Sequence, residues 1–243
     1  MSSKITFYPE SKFGGFTDVD GSIAFFSRVN SLLKSNFVVL DVGCGRGVSF
    51  DDDISFRKNL RVLKGKVTQV IGIDVDSEAK NNSFIDKFHL IKNNKWPLDD
   101  SSIDLIICDN VLEHIENPEL FFSEVRRVLK TGGYYCFRTP NAWSYIAIIA
   151  KIIPNKYHST MTSIAQDNRM EEDVFPTLYR CNTIGKLKRL MKKNGFDYEV
   201  YGYEAEPSYL SFSSIVYYLG VLHQRFAPQI MKAAIFGFGK LIK

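Results

Sequence analysis

Hydrophobic and polar positions along this chain follow two periods. Unbroken apolar runs recur at Val38 to Val42, in "VTQVIGID" ending at Asp74, in "FHLI" ending at Ile91, in "DLIICD" ending at Asp109 and in "GGYYCFRT" ending at Thr139. β-Branched and aliphatic residues bounded by glycine turns predict strands covered on both faces, the habit of a parallel sheet. The helical period lies between and around them. In "NPELFFSEVRRVLKTGG" it runs from Pro118 to Leu129, with Asn117 as cap, Pro118 in the first turn and Gly132 and Gly133 as the stop. Leu120, Phe121, Val125, Val128 and Leu129 form its apolar stripe. A helix in "DVDGSIAFFSRVNSLLKSN" precedes the first strand, capped at Asp20 or Ser22 and placed to cover a pocket, and another follows in "TIGKLKRLMKKNGF". This alternation predicts an α/β fold with a doubly wound, mostly parallel sheet, whose ligands sit beyond the carboxyl ends of the strands.

A single domain over 1–243 is expected. Its parts are an N-terminal helical cap at 1–36, a core at 37–140, an insertion at 141–182, a closing helix and strand at 183–207, and an apolar, basic tail at 208–243. A hydrophobic content of 45% is ample for a packed core. Cys44, Cys108, Cys136 and Cys181 lie far apart with no CxxC pair, which argues against zinc sites and a disulfide framework and points to a reducing cytoplasm. The first residues lack the pattern of a signal peptide, and no apolar run reaches the roughly 20 residues that span a bilayer. The net charge of +4 is regional: from Arg180 onward ten Lys or Arg stand against four Asp or Glu. No dense basic stripe interleaved with aromatics accompanies it, so nucleic acid is not an expected partner.

The stretch "FVVLDVGCGRGVSF" carries the first chemical signal, because three glycines at a strand-to-helix turn permit close approach of a ligand to backbone N–H groups. A plain turn explains a lone GxG equally well. The register argues against a dinucleotide fingerprint, since Val48 stands where GxGxxG places its last glycine. Asp74, ending the second run, is spaced to accept hydrogen bonds from both hydroxyls of a ribose.

Taken together, "VLDVGCGRG", "VIGIDVD", "WPLDDSSIDLIICDNVLEHIENPELFFSEVRRVLKTGGYY" and "RTPN" resemble the class I S-adenosylmethionine-dependent methyltransferases, in their small-molecule branch with a type-11-like domain. The resemblance covers Phe37 to Asn141 and implies a Rossmann-like fold with S-adenosyl-L-methionine as cofactor. It implies that Asp41 and the backbone of Gly43, Cys44, Gly45 and Gly47 hold the methionine end, that Asp74 binds the ribose, and that Val75 lines the adenine slot. Asp109 and Asn110, with Glu113 and His114, then face the reaction side. Two departures are visible. "IKNNK" stands where relatives often carry an acid, leaving the adenine amine to Asn93, Asn94 or the backbone, and only one of the family's two closing strands, near Asp197 to Tyr203, is legible. "FGGFTDVDGSIAFFSRVN" and "EEDVFPTLYRCNT" also resemble a subgroup of bacterial methyltransferases found with sugar-processing genes.

Methyl transfer to a hydroxyl needs alignment and a base. His114 is the first candidate base, with packing of His114 and Glu113 as the alternative; His158 is the second; Asp109 could orient the cofactor's amine or accept the proton. His89 and His223 read as structural, Cys108 and Cys136 as core, and Cys44 as a backbone contact without thiol chemistry. Trp96 and Phe26 read as core that could also face a sulfonium. Asp51, Asp52 and Asp53 read as solvated, and no metal is assigned.

The insertion is the expected selector of acceptor, with "EEDVFPTLYR" able to bind a polyol or to act as a lid. The tail could lie on anionic lipid, pack on the sheet edge or form a dimer interface, leaving the assembly open. The expected function is methyl transfer to an oxygen of a small molecule or glycan, in the cytoplasm or at a membrane's periphery. The alternatives are a nicotinamide-dependent oxidoreductase and a noncatalytic cofactor-binding module.

Overall fold

The five apolar runs are strands, and two more complete the sheet. The computed structural model describes residues 3–47, 52–145, 147 and 176–242. In chain order the strands are Val38–Val42 (β1), Gln69–Asp74 (β2), Lys87–Leu90 (β3), Ile103–Asp109 (β4), Leu129–Pro140 (β5), Phe196–Tyr203 (β6) and Ala234–Leu241 (β7). They lie in the order β3-β2-β1-β4-β5-β7-β6, with β1 to β5 parallel and β7 antiparallel to both β5 and β6.

The described helices are Ser3–Phe7 (α1), Gly21–Leu32 (α2), Ser55–Arg61 (α3), Pro118–Val128 (α4), Ile184–Lys193 (α5) and Ser214–Phe226 (α6). Asp20 caps α2, its carboxylate accepting from the amides of Ser22 and Ile23 at 2.9 Å, and Asn117 caps α4. Each face of the sheet has its own core. Phe122, Tyr135, Phe137, Leu187 and Met191 pack beneath α4 and α5, and Phe25, Val29, Val39, Leu105 and Phe236 pack beneath α2 and α3. Cys108 and Cys136 are fully buried in these layers, as expected.

The stretch read as a tail contains the family's other closing strand. β7 escaped the sequence pattern because glycines interrupt "AIFGFGKL", and they do so for steric reasons: a Cβ at Gly237 would stand 2.0 Å from the Phe137 ring. A strand between two neighbours gives up side chains where a large ring from the next strand crosses it. The segment at 208–243 is thus a helix followed by a central strand. Most of the insertion, including His158, lies outside the described residues. Among the described residues no helix is long and apolar enough to cross a membrane.

Candidate functional site

Strand order reverses between β1 and β4, and the carboxyl ends there converge. β2 and β4 finish on Asp74 and Asp109, and β1 carries Asp41 one residue before its end. Beyond them opens a cleft of about 1160 Å³, larger than the roughly 300–1,000 Å³ that suits one small ligand. Seven carboxylates and three arginines line it, so its field favours a cation.

The glycine loop reaches this cleft in an unforeseen way. The amides of Gly43 and Cys44 donate to the Ile73 carbonyl at 2.8 and 3.3 Å, and that of Gly45 donates to Asp74 Oδ2 at 2.9 Å. Asn82 Nδ2 in turn donates to the carbonyls of Cys44 and Gly45 at 2.9 and 3.2 Å. These three N–H groups therefore brace the loop on β2 instead of pointing at a ligand, correcting the expectation from sequence. The glycines still serve close approach. Gly43 has φ +68° and a Cβ there would meet Val111 at 2.4 Å, whereas at Gly45, φ +52°, a Cβ would find nothing within 4 Å and the cleft opens directly on main chain. Gly47 also lines the cleft. Cys44 turns its buried Sγ toward Gly72, and burial raises the thiol above its ordinary range, which leaves it inert.

Asp74 is 7% exposed and receives Gly45 N on one oxygen and Asp76 N on the other, both at 2.9 Å. A carboxylate offers about four lone-pair sites, so two remain, which matches a vicinal diol. Val75 is 58% exposed and lines the cleft beside Ile91 and Asn94, an apolar edge suited to a flat ring. Asn93 and Asn94 form the left-handed turn between Lys92 and Lys95, with φ +53° and +57°, and of the two only Asn94 reaches the cleft. Asp41 also lines it, its carboxyl pushed up to about 7 by burial and then by Asp109 and Asp74, with Arg61 opposing.

Across the cleft the charges are already matched. Both oxygens of Asp109 accept from Arg138, Nε and Nη2 each at 2.6 Å. Nη1 of Arg138 reaches Ser22 Oγ at 3.0 Å, and its guanidinium lies over the rings of Phe25 and Phe26, tying α2 to the site. The bidentate guanidinium fixes the orientation of Asp109. Asn110, at φ +56°, donates from its side chain to Asp109 Oδ1 at 3.1 Å and from its amide to the Arg138 carbonyl.

His114 ends a short 3₁₀ turn and lines the rim. Its Nδ1 is 3.0 Å from the Pro176 carbonyl, which only accepts, so Nδ1 carries a proton. Nε2 stands 3.8 Å from Glu113 Oε1. Glu113 is buried, which raises its pKa, and accepts from Thr139 Oγ1 at 2.9 Å, while Thr139 accepts from Asn182 Nδ2 at 2.6 Å. The end of the insertion is thus wired to the base candidate.

Phe26 and Trp96 are buried walls of the cleft, Trp96 edge-on to Phe121. Asp52 is not solvated as expected: it pairs with Arg57 and accepts from the Ile54 amide, while Asp53 is exposed and Asp51 lies outside the described residues. Neither His89 nor His223 lines the cleft. Arg138 escaped the sequence reading although a signal existed, since an arginine within the apolar run "GGYYCFRT" needs a buried partner.

A family model described as a methyltransferase domain matches residues 17–200. The chain belongs to the S-adenosylmethionine-dependent methyltransferases. A probable S-adenosylmethionine-dependent methyltransferase of Mycolicibacterium smegmatis is 31% identical over 107 residues, covering 42% of this chain and 38% of that one. A ubiquinone biosynthesis O-methyltransferase of Hydrogenovibrio crunogenus is 28% identical over 152 residues, 56% of each chain. The first curated relatives are longer, and this chain spans 35–38% of their length. Among solved structures, a SAM-dependent methyltransferase of Archaeoglobus fulgidus superposes with a TM-score of 0.57 at 18% identity, over 95% of this chain and 97% of that one.

Membership removes the nicotinamide alternative. The family's cofactor, S-adenosyl-L-methionine, fits what is present. Bare main chain at Gly45 accepts close approach, the spare lone pairs of Asp74 match a ribose, and the anionic cleft suits a sulfonium and an ammonium.

Proposed function

We propose that this chain transfers the methyl group of S-adenosyl-L-methionine to a hydroxyl oxygen of a small molecule or sugar. The observation that carries the oxygen assignment is the place of His114 at the rim of the cleft, with its Nδ1 3.0 Å from the Pro176 carbonyl and its Nε2 3.8 Å from Glu113 Oε1. A hydroxyl must shed its proton as it becomes a nucleophile, and a positioned imidazole contributes about 10²–10⁴-fold to such a step. The cofactor supplies an electrophilic methyl on a sulfonium centre.

The residues of the chain do the rest. Asp74 holds the ribose, Gly45 and Asp41 flank the methionine end, and Val75 with Asn94 borders the adenine. The Arg138 pair fixes Asp109 in the wall beside the acceptor, with both carboxylate oxygens already bonded. His114 Nε2 takes that proton, and Glu113 stabilises the resulting imidazolium, itself steadied by Thr139 and Asn182. Holding acceptor and methyl in line is worth about 7–11 kcal/mol. The cleft has room for two co-substrates, and the O-methyltransferase of Hydrogenovibrio crunogenus among the relatives supports oxygen as the acceptor atom. Support for a sugar rests on the resemblance to the sugar-associated subgroup.

The reading is tested by incubating the chain with methyl-labelled cofactor and a panel of phenols, sugars, amines and thiols, followed by mass spectrometry. A methyl ether is expected. Products only on nitrogen or sulfur would overturn the oxygen assignment, and cofactor binding with no product would favour a noncatalytic module.

A further inference from the structure

Helix α6 is apolar on two opposite faces, and among the described residues only one of them is packed. Tyr217 and Val221 turn inward at 0% and 1% exposure, against Phe7 and Tyr8 of the N-terminal segment. At about 100° per residue, Ile215, Leu219, Leu222 and Phe226 fall within about 60° of one another on the other side. Ile215, Leu219 and Phe226 are 76%, 57% and 78% exposed, and Phe212 before the helix and Ile230 after it are exposed as well, at 65% and 51%. Single exposed apolar residues are ordinary; a continuous strip on one helix face marks a surface that meets something other than water.

Charge and composition select the occupant. From Ser208 to Lys243 there is no Asp or Glu, while Arg225 is exposed on α6. The two acids that precede the segment face inward. Glu204 is buried and accepts from the Ala233 amide, and Glu206 accepts from the Tyr217 hydroxyl at 2.8 Å and lies 3.5 Å from Lys4 Nζ. Tyr209 and Tyr218 are about half exposed beside the strip, and tyrosine is enriched where apolar and aqueous phases meet. An acid-free strip with basic and aromatic flanks complements anionic headgroups over acyl chains.

Topology adds orientation. β5 and β6 both run antiparallel to β7, so β6 ends at the same edge of the sheet as β1, β2 and β4, and α6 follows from that edge. The cleft opens at this end.

We propose that α6 docks the protein on an anionic lipid bilayer, with the strip from Phe212 to Phe226 in the headgroup and acyl boundary and the cleft end of the sheet toward the membrane. This docking does not rest on the methyl-acceptor assignment.

Co-sedimentation of the full chain with phosphatidylcholine vesicles, with and without phosphatidylglycerol, tests it, alongside light scattering in solution. The chain is expected to pellet with the anionic vesicles, to pellet less with the neutral ones, and to release as salt rises. The Phe212→Ser, Phe226→Ser double variant is expected to lose vesicle affinity by about tenfold or more, with its circular dichroism and S-adenosylhomocysteine affinity intact. Ile215→Glu is the second variant should the first fail to fold, with the same loss expected. Failure to pellet with either vesicle, or equal pelleting of the folded variants, would overturn the proposal. So would a dimer that the same substitutions dissolve, which would give the strip to a second copy of the chain.

Discussion

The two walls of the cleft handle their carboxylates differently. On the β2 side, Asp74 is held by two backbone amides that leave half of its lone pairs unspent. On the β4–β5 side, Asp109 is enclosed by Arg138, and Glu113 is bound into a chain with Thr139 and Asn182. The first wall is built to receive hydrogen bonds from a ligand, and the second is built to hold still. On the reading proposed above, proton transfer on the second wall is assigned to His114, which lines the rim with its Nε2 3.8 Å from Glu113 Oε1.

The largest effect should come from breaking that division at its active end. His114→Ala is expected to lower kcat by about 10²–10⁴-fold while S-adenosylhomocysteine affinity changes less than about threefold, read by steady-state kinetics and calorimetry. A comparable loss in both would place His114 on the cofactor wall.

How far the sequence carried this contrast varies by residue. Asp74 and Asp109 were legible because each closes an apolar run beside a turn, and Asp41 because it is the acid inside one, just before the glycines, positions that strand chemistry alone does not explain. The amide partners of the glycine loop were not, because Ile73 and Asn82 join it only once β1 and β2 lie side by side. β7 was hidden by glycines that make room for Phe137. Asn93 and Asn94 were inseparable on paper, and the handedness of their turn is what sends one of them to the cleft.

Next in size is Asp74→Ala, which removes two hydrogen-bond sites for the ribose and the anchors of Gly45 and Asp76. With charge-assisted bonds worth about 1.5–3 kcal/mol each, S-adenosylhomocysteine affinity should fall by about a hundredfold or more in a calorimetric titration. Asp41 offers a milder probe. Its carboxyl titrates at about 7, so below that pH it is neutral and above it the carboxylate attracts the ligand's ammonium. Affinity should rise about threefold to tenfold from about pH 6 to about pH 8, and Asp41→Asn should flatten the rise. In the ligand-free chain the raised value has the opposite sign: stability declines as pH climbs from the ordinary carboxylate range toward 7, where the buried group ionises, and thermal melts across that range will report it. The smallest effect is expected from Asn94→Ala, a loss of affinity below about tenfold. Asn93→Ala should leave affinity unchanged and cost only a little stability, because its backbone sits in the left-handed region.

The central claim is that bare main chain at Gly45 and the buried carboxylate of Asp74 together hold an adenosyl ligand. Calorimetric titration of the full chain and of Asp74→Ala with S-adenosylhomocysteine and, separately, with NAD tests it directly. Saturable binding of S-adenosylhomocysteine to the parent chain, lost in the variant, with no heat from NAD, is the result predicted. Binding of NAD, or S-adenosylhomocysteine affinity indifferent to the loss of Asp74, would contradict it.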